Sequence, residues 1–190
     1  MLLVSGNSDI LTGGSGSDSL VSYSGTNTLV AGSGSNTLIA DSDGNTLVAG
    51  TGSDLLVLYG ANEAITAGTG ETTINNGAGG QTTSSNELTF APGISTDQLW
   101  FVQSGNDLRI DVMGTQNEVT ISNWFGSVGN NLSEIATSDG SEIDSQVSQL
   151  VQAMATFQTN NPGFDPTASS NGVVPNDPTL QAALAAAWHH

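Results

Sequence analysis

Eight polar residues recur at intervals of nine along the first part of this chain: Asp9, Asp18, Asn27, Asn36, Asn45, Asp54, Glu63 and Thr72. Glycine-rich stretches, Gly14-Ser15-Gly16, Gly32-Ser33-Gly34 and Gly50-Thr51-Gly52, lead into every second one. The chemistry open to such a set is ligation of a metal ion by oxygen, for which aspartate is the stronger ligand. Asparagine at three successive positions calls for a different explanation. Its amide keeps a carbonyl oxygen, loses the charge and gains a hydrogen-bond donor. Amides stacked in register can form ladders that satisfy turn carbonyls without metal, and the Asn27 and Asn45 pair is the best placed to do so.

Reaction chemistry is poorly provided for. There is no cysteine or lysine, and the histidines are confined to His189 and His190, so carboxylates are the only candidate general bases, and the repeat holds those in turns. The expectation is a protein that is not an enzyme. One cation, Arg109, stands against 18 carboxylates for a net charge of −17. That field repels nucleic acid and anionic membrane surfaces and attracts cations. No apolar run approaches the roughly 20 residues of a membrane span, and Met1-Leu2-Leu3-Val4 is too short for a secretory signal.

The elements that position the column follow from a second column two residues on: Leu11, Leu20, Leu29, Leu38, Leu47, Leu56, Ile65 and Ile74. Each unit ends in a short alternating segment such as Thr28-Leu29-Val30-Ala31, which reads as a strand with Leu and Ala on one face and Thr and Val on the other. The glycines supply the tight reversals. Gly-x-Gly recurs at 14–16, 32–34, 50–52 and 68–70, in alternate units, so the structural repeat should be 18 residues: strand, turn, strand, turn. Asp18, Asn36, Asp54 and Thr72 then stack on one regular edge, and Asp9, Asn27, Asn45 and Glu63 on the other, with Asp41 and Asp43 nearby.

"GGSGSDSLV", residues 13–21, resembles the Gly-Gly-x-Gly-x-Asp-x-aliphatic-x nonapeptide of RTX (haemolysin-type) calcium-binding repeats. Residues 90–125 resemble the segment that follows such repeats in haemolysin-type exoproteins. The resemblance implies a right-handed parallel β-roll of 18-residue coils with calcium ions in its turns. It implies in turn a bacterial, secreted exoprotein of the type I secretion class that folds on meeting extracellular calcium. Carried over residue by residue, it puts candidate metal ligands at Gly14, Gly16, Asp18, Gly32, Gly34, Asn36, Gly50, Gly52 and Asp54. Asp9, Asp41 and Asp43 are further candidates on the second edge. Only Asp9, Asp18 and Asp54 match the family's aspartate.

The fold class expected is all-β with minor C-terminal α, in three parts: a nonapeptide β-roll over residues 1–80, an antiparallel β capping segment over 81–135, and a helical region over 136–190 with a possible type I secretion signal. Strands are expected near 87–90, 99–103, 108–112 and 118–122. Trp100, Phe101, Trp124 and Phe125 should close the open end of the roll, although such rings also suit a carbohydrate platform. Val147, Leu150, Val151, Met154 and Phe157 mark a helical face, and a last helix should start at Asp177 as N-cap with Pro178 at N1. The His189-His190 pair reads as a tag rather than a metal site.

The function expected is a calcium-binding C-terminal module of a large secreted exoprotein, with upstream domains and type I secretion machinery as partners. A calcium-independent structural or adhesive solenoid held by Asn ladders is the alternative. A carbohydrate-contacting module is a weaker third.

Overall fold

The computed structural model describes residues 1–78, 80, 85–126 and 130–190. Alternation of Leu with β-branched residues yields nine strands in the repeat region: β1 (Leu2–Val4), β2 (Ile10–Thr12), β3 (Ser19–Ser22), β4 (Thr28–Val30), β5 (Thr37–Ala40), β6 (Thr46–Val48), β7 (Thr51–Leu58), β8 (Ala64–Thr66) and β9 (Thr69–Asn76). Odd-numbered strands form one parallel sheet and even-numbered strands another. The register shows the coil length directly. Leu20 pairs with Leu38 and Leu38 with Leu56, while Leu29 pairs with Leu47 and Leu47 with Ile65. One leucine column in the sequence is thus two columns in space, facing each other across a thin interior.

That interior is apolar. Leu20, Leu29, Leu38, Leu47 and Leu56 are fully buried, with Ala31, Ala40 and Ala49 beside them. Each buried leucine contributes roughly 1.5–3 kcal/mol, and the small alanines let the two sheets approach. On the Gly-x-Gly edge the coils stack so closely that the reversal itself is hydrogen-bonded. β7 and β9 pair from Thr51↔Thr69 through Leu58↔Asn76, straight through the glycines. A Cβ on Gly50 would overlap the Gly32 carbonyl of the coil before, so glycine is required there by contact.

Beyond residue 76 the roll continues, although the nine-residue period does not. β10 (Glu87–Thr89) pairs in parallel with β8, and β14 (Glu134–Ala136) pairs in parallel with β10. In the other sheet β13 (Glu118–Ile121) pairs in parallel with β9. The antiparallel part is the pairing of β11 (Leu99–Ser104) with β12 (Asp107–Val112) and of β12 with β13, plus β15 (Glu142–Ile143) on β14. Parallel strands therefore extend the roll, and a hairpin inserted between β10 and β13 closes it.

Two helices cover that end, α1 (Val147–Asn160) and α2 (Pro178–Ala187). The α1 face is the expected one, burying Val147, Leu150, Val151 and Met154. α2 starts as expected, with the Asp177 carboxylate accepting N–H bonds from Thr179 (2.9 Å) and Leu180 (3.1 Å). Trp100 packs against Phe164 and Phe157 at ring separations of 4.8 and 5.9 Å, and Phe101 against Trp188 at 6.1 Å. Trp100, Phe101 and Trp124 are buried, so these rings form no platform for a sugar. His189 is no loose tag either, since its backbone exchanges both hydrogen bonds with Glu142.

The single cation is used inside this closing region. Arg109 meets Asp111 on the same strand, Nε to Oδ1 at 2.9 Å and Nη2 to Oδ2 at 3.1 Å. Burial pushes the Asp111 carboxyl above its usual range, and Arg109 opposes that shift. Arg109→Gln leaves a buried carboxylate without its counter-charge. We expect it to cost on the order of 3 kcal/mol at neutral pH in urea unfolding, with Asp111→Asn in the same chain restoring much of the loss.

Candidate metal-binding edges and the amide ladder

The strands place the polar column at the point where each turn enters the next strand, facing inward. Asn27, Asn36, Asn45, Asp54, Glu63 and Thr72 are all buried, none more than 4 % exposed. A buried polar side chain must find partners, and in this column the partner is the neighbouring coil.

On the Gly-x-Gly edge, Asn36 Oδ1 accepts the Asp18 N–H at 3.0 Å, and Asp54 Oδ1 accepts the Asn36 N–H at 3.1 Å. The same Asp54 oxygen takes the Asn36 side-chain amide at 2.9 Å. Each aspartate also locks its own loop: Asp18 Oδ2 accepts the Gly14 N–H and Asp54 Oδ2 the Gly50 N–H, both at 2.8 Å. The carbonyls of Gly14, Gly32 and Gly50 accept N–H bonds from Ser33, Thr51 and Thr69, one coil on, each at 3.0 Å. A carbonyl has two lone pairs, so these oxygens retain capacity for a cation.

Oxygen donors of this kind, one carboxylate or amide per coil plus glycine carbonyls, suit a hard cation such as calcium, which takes six to eight oxygens. Among the described residues no three Asp, Glu or His side chains converge. An ion on this edge would therefore draw most of its ligands from backbone and water. Asp18 is half-buried and accepts the Gly14 N–H with one oxygen, whereas the buried Asp54 receives three N–H donors. The two aspartates are not equivalent.

On the second edge the ladder is longer. Asn27 Oδ1 accepts the Asp9 N–H (2.9 Å), Asn45 Oδ1 the Asn27 N–H (3.0 Å), Glu63 Oε2 the Asn45 N–H (2.8 Å), and Asn86 Oδ1 the Glu63 N–H (2.8 Å). The amide donors point back into the turns. Asn27 Nδ2 donates to the carbonyls of Ser24 (2.8 Å) and Gly6 (3.0 Å), and Asn45 Nδ2 to that of Ser42 (2.6 Å). Asparagine is thus the residue for a rung that must accept from one coil and donate to a turn. Aspartate can only accept. The ladder expected from the Asn27 and Asn45 pair is present, and it links side chain to backbone rather than amide to amide.

Asp9, Asp41 and Asp43 are exposed. Asp43 Oδ1 accepts the Ala61 N–H at 2.8 Å, bracing the turn one coil on. Asn86 was not among the candidates because it lies 23 residues after Glu63 rather than 18. Its signal was its place two residues before Leu88, the offset that Asn27 has from Leu29. Glu63 differs from its neighbours in one respect. Among the described residues Oε1 is buried with no partner, and burial pushes this carboxyl up from 4.5 to about 7, with the Asn45 N–H opposing.

Residues 5–38 and 39–74 match the family described as RTX calcium-binding nonapeptide repeat (4 copies). These two stretches carry RTX haemolysin-type calcium-binding repeats. Residues 107–146 match a second model, the haemolysin-type calcium binding protein related domain, so the RTX resemblance extends into the closing region. RTX repeats bind calcium ions, form a structural family rather than a known enzyme class, and are typical of type I secreted bacterial proteins. Among the described residues no helix is long and apolar enough to cross a membrane.

The two roles of the amide separate in mutation. Asn45→Asp keeps the acceptor for the Asn27 N–H, removes the donor to Ser42 and adds a charge near Glu63. In chelator it should lower unfolding stability by about 1–3 kcal/mol, read by urea denaturation against the parent chain.

Proposed function

We propose that this RTX chain is a calcium-binding module of a larger secreted exoprotein, binding its ions on the Gly-x-Gly edge. The ligand set proposed is Asp18, Asn36 and Asp54 with the carbonyls of Gly14, Gly16, Gly32, Gly34, Gly50 and Gly52. The observation that carries it is the stacking of an oxygen side chain and a glycine loop in three successive coils, 18 residues apart. Asp9, Asp41 and Asp43 stand outside this set, because they are exposed and Asp43 already braces the next turn.

In this reading calcium adds to a roll that the amide ladders already hold in register. The net charge of −17 and the thin core favour the folded state less at the low calcium of the cytosol than outside the cell. Such a module supports folding after export through type I machinery. It performs no reaction of its own, and any catalytic chemistry belongs to other domains of the exoprotein.

A second reading, a structural solenoid that folds without metal, is favoured by one specific observation: the ladder on the second edge is complete without an ion from Asp9 to Asn86, apart from Glu63 Oε1. Circular dichroism and thermal melting in chelator and in millimolar calcium separate the two. The calcium reading expects a higher Tm with calcium, and roughly tenfold weaker binding in Asp18→Asn, about 1.4 kcal/mol, by calorimetry. An unchanged spectrum and an unchanged Tm across the titration would leave only the metal-free scaffold.

A further inference from the structure

The inner rungs of the second edge are Asn27, Asn45, Glu63 and Asn86. Each uses one side-chain oxygen in the same way, to accept the N–H of the rung before. Where the three asparagines carry an NH2 that donates to turn carbonyls, of Ser24, Ser42 and Gly60 respectively, Glu63 carries Oε1. Among the described residues that atom is buried with no hydrogen-bond partner.

Glutamate is one methylene longer than asparagine, and the turn beside it makes room. The residue three before Asn27 is Ser24 and that before Asn45 is Ser42, but that before Glu63 is Gly60. A Cβ on Gly60 would come within 2.4 Å of the Ser42 carbonyl oxygen of the coil before and within 2.7 Å of Glu63 Oε1. The second oxygen of Glu63 therefore lies against its own turn, beside Gly60.

No cation answers that oxygen. From the preceding coil the charged neighbour is Asp43, which disfavours a second negative charge, together with the N–H donors of Asn45 and Gly44. From the following segment come Asn86 and, hydrogen-bonded to it at 2.8 Å, Asn76, both neutral. The turn of Glu63 itself, Tyr59-Gly60-Ala61-Asn62, brings no charge at neutral pH. The single basic side chain, Arg109, is engaged with Asp111.

We propose that Glu63 is a proton-operated rung: the folded roll seats it as the neutral acid, whose O–H supplies the donor that asparagine supplies elsewhere, and loss of that proton loosens the last coil of the repeat. The coil concerned is the one that receives Asn86 and β10, so the switch sits where the repeat joins its closing region. Nothing in this depends on calcium.

The sign follows from the two states. A carboxyl at 4.5 when unfolded and about 7 when folded binds its proton more tightly in the folded chain. Its contribution is complete below about pH 4.5 and is lost as pH rises through 7. The full span is about 300-fold in the folding equilibrium constant.

Urea unfolding in chelator from pH 5 to pH 9 tests this with the whole chain, comparing the parent with Glu63→Gln, and with Glu71→Gln at an exposed site as control. Glutamine restores a neutral donor, so Glu63→Gln should flatten the loss of stability between pH 5 and 8 and exceed the parent in folding constant at pH 8, by a factor of ten or more. Superimposable pH profiles for parent and Glu63→Gln would overturn the proposal. A direct NMR titration of the Glu63 carboxyl carbon in the parent protein decides independently of any variant: a midpoint near 7 supports it, and one near 4.5 overturns it. Because both measurements are made without calcium, their failure leaves the ion-binding reading untouched.

Discussion

A polar side chain placed inside a thin two-sheet roll has to be satisfied by the coil next to it, and the remaining architecture depends on that requirement. The leucine and alanine layer between the sheets is apolar and offers no hydrogen bonds. Turn carbonyls and the N–H groups at the start of the strands lie at its margins. The inward rungs answer both, accepting an N–H from one coil and, when they are amides, donating to a turn. Because the N–H bonds accepted between coils of the repeat join residues 18 apart, the rungs set coil spacing and register together. A slip of one residue would turn the leucines outward and break the ladder at the same step.

The distribution of aspartate and asparagine is intelligible in these terms. Asp18 and Asp54 stand where a glycine loop offers an N–H four residues back, so an acceptor-only side chain is satisfied there. Asn27 and Asn45 stand where the turn offers carbonyls, and need a donor. Asn36 is intermediate, with its amide on Asp54 and on Gly34. The RTX pattern and the amide ladder are thus two solutions to one problem on the two edges of the same coil. The edge rich in glycine carbonyls is the one we propose for calcium, and on the other the rungs are joined by hydrogen bonds.

Closure of the roll rests on different physics. The repeat interior is built of leucine, isoleucine and alanine, and larger side chains enter only where the hairpin closes the roll. There Phe90, Trp100, Phe101 and Trp124 provide volume, and α1 and α2 cover them. The hairpin also brings Asp111 into the interior, and the one arginine of the chain neutralises it. In so acidic a protein, pairing the half-buried Arg109 with a buried carboxylate points to the cost of leaving that group unpaired.

Much of this was legible before any coordinates. The nine-residue leucine column gave the strands, the alternation of Gly-x-Gly units gave the 18-residue coil, and Asp177-Pro178 marked the start of the last helix. Local rules suffice there, since periodicity and capping are properties of neighbouring residues. What tertiary structure decided is long-range. That β10, β13 and β14 extend the roll in parallel, that Asn86 completes a column begun at Asp9, and that Trp100 faces the helices rather than solvent all depend on contacts across tens of residues with no fixed period. The fate of each polar rung was decided at the same level. An asparagine and an aspartate look alike in a repeat, and only the neighbouring coil determines whether the site needs a donor, an acceptor or, as at Glu63, a proton.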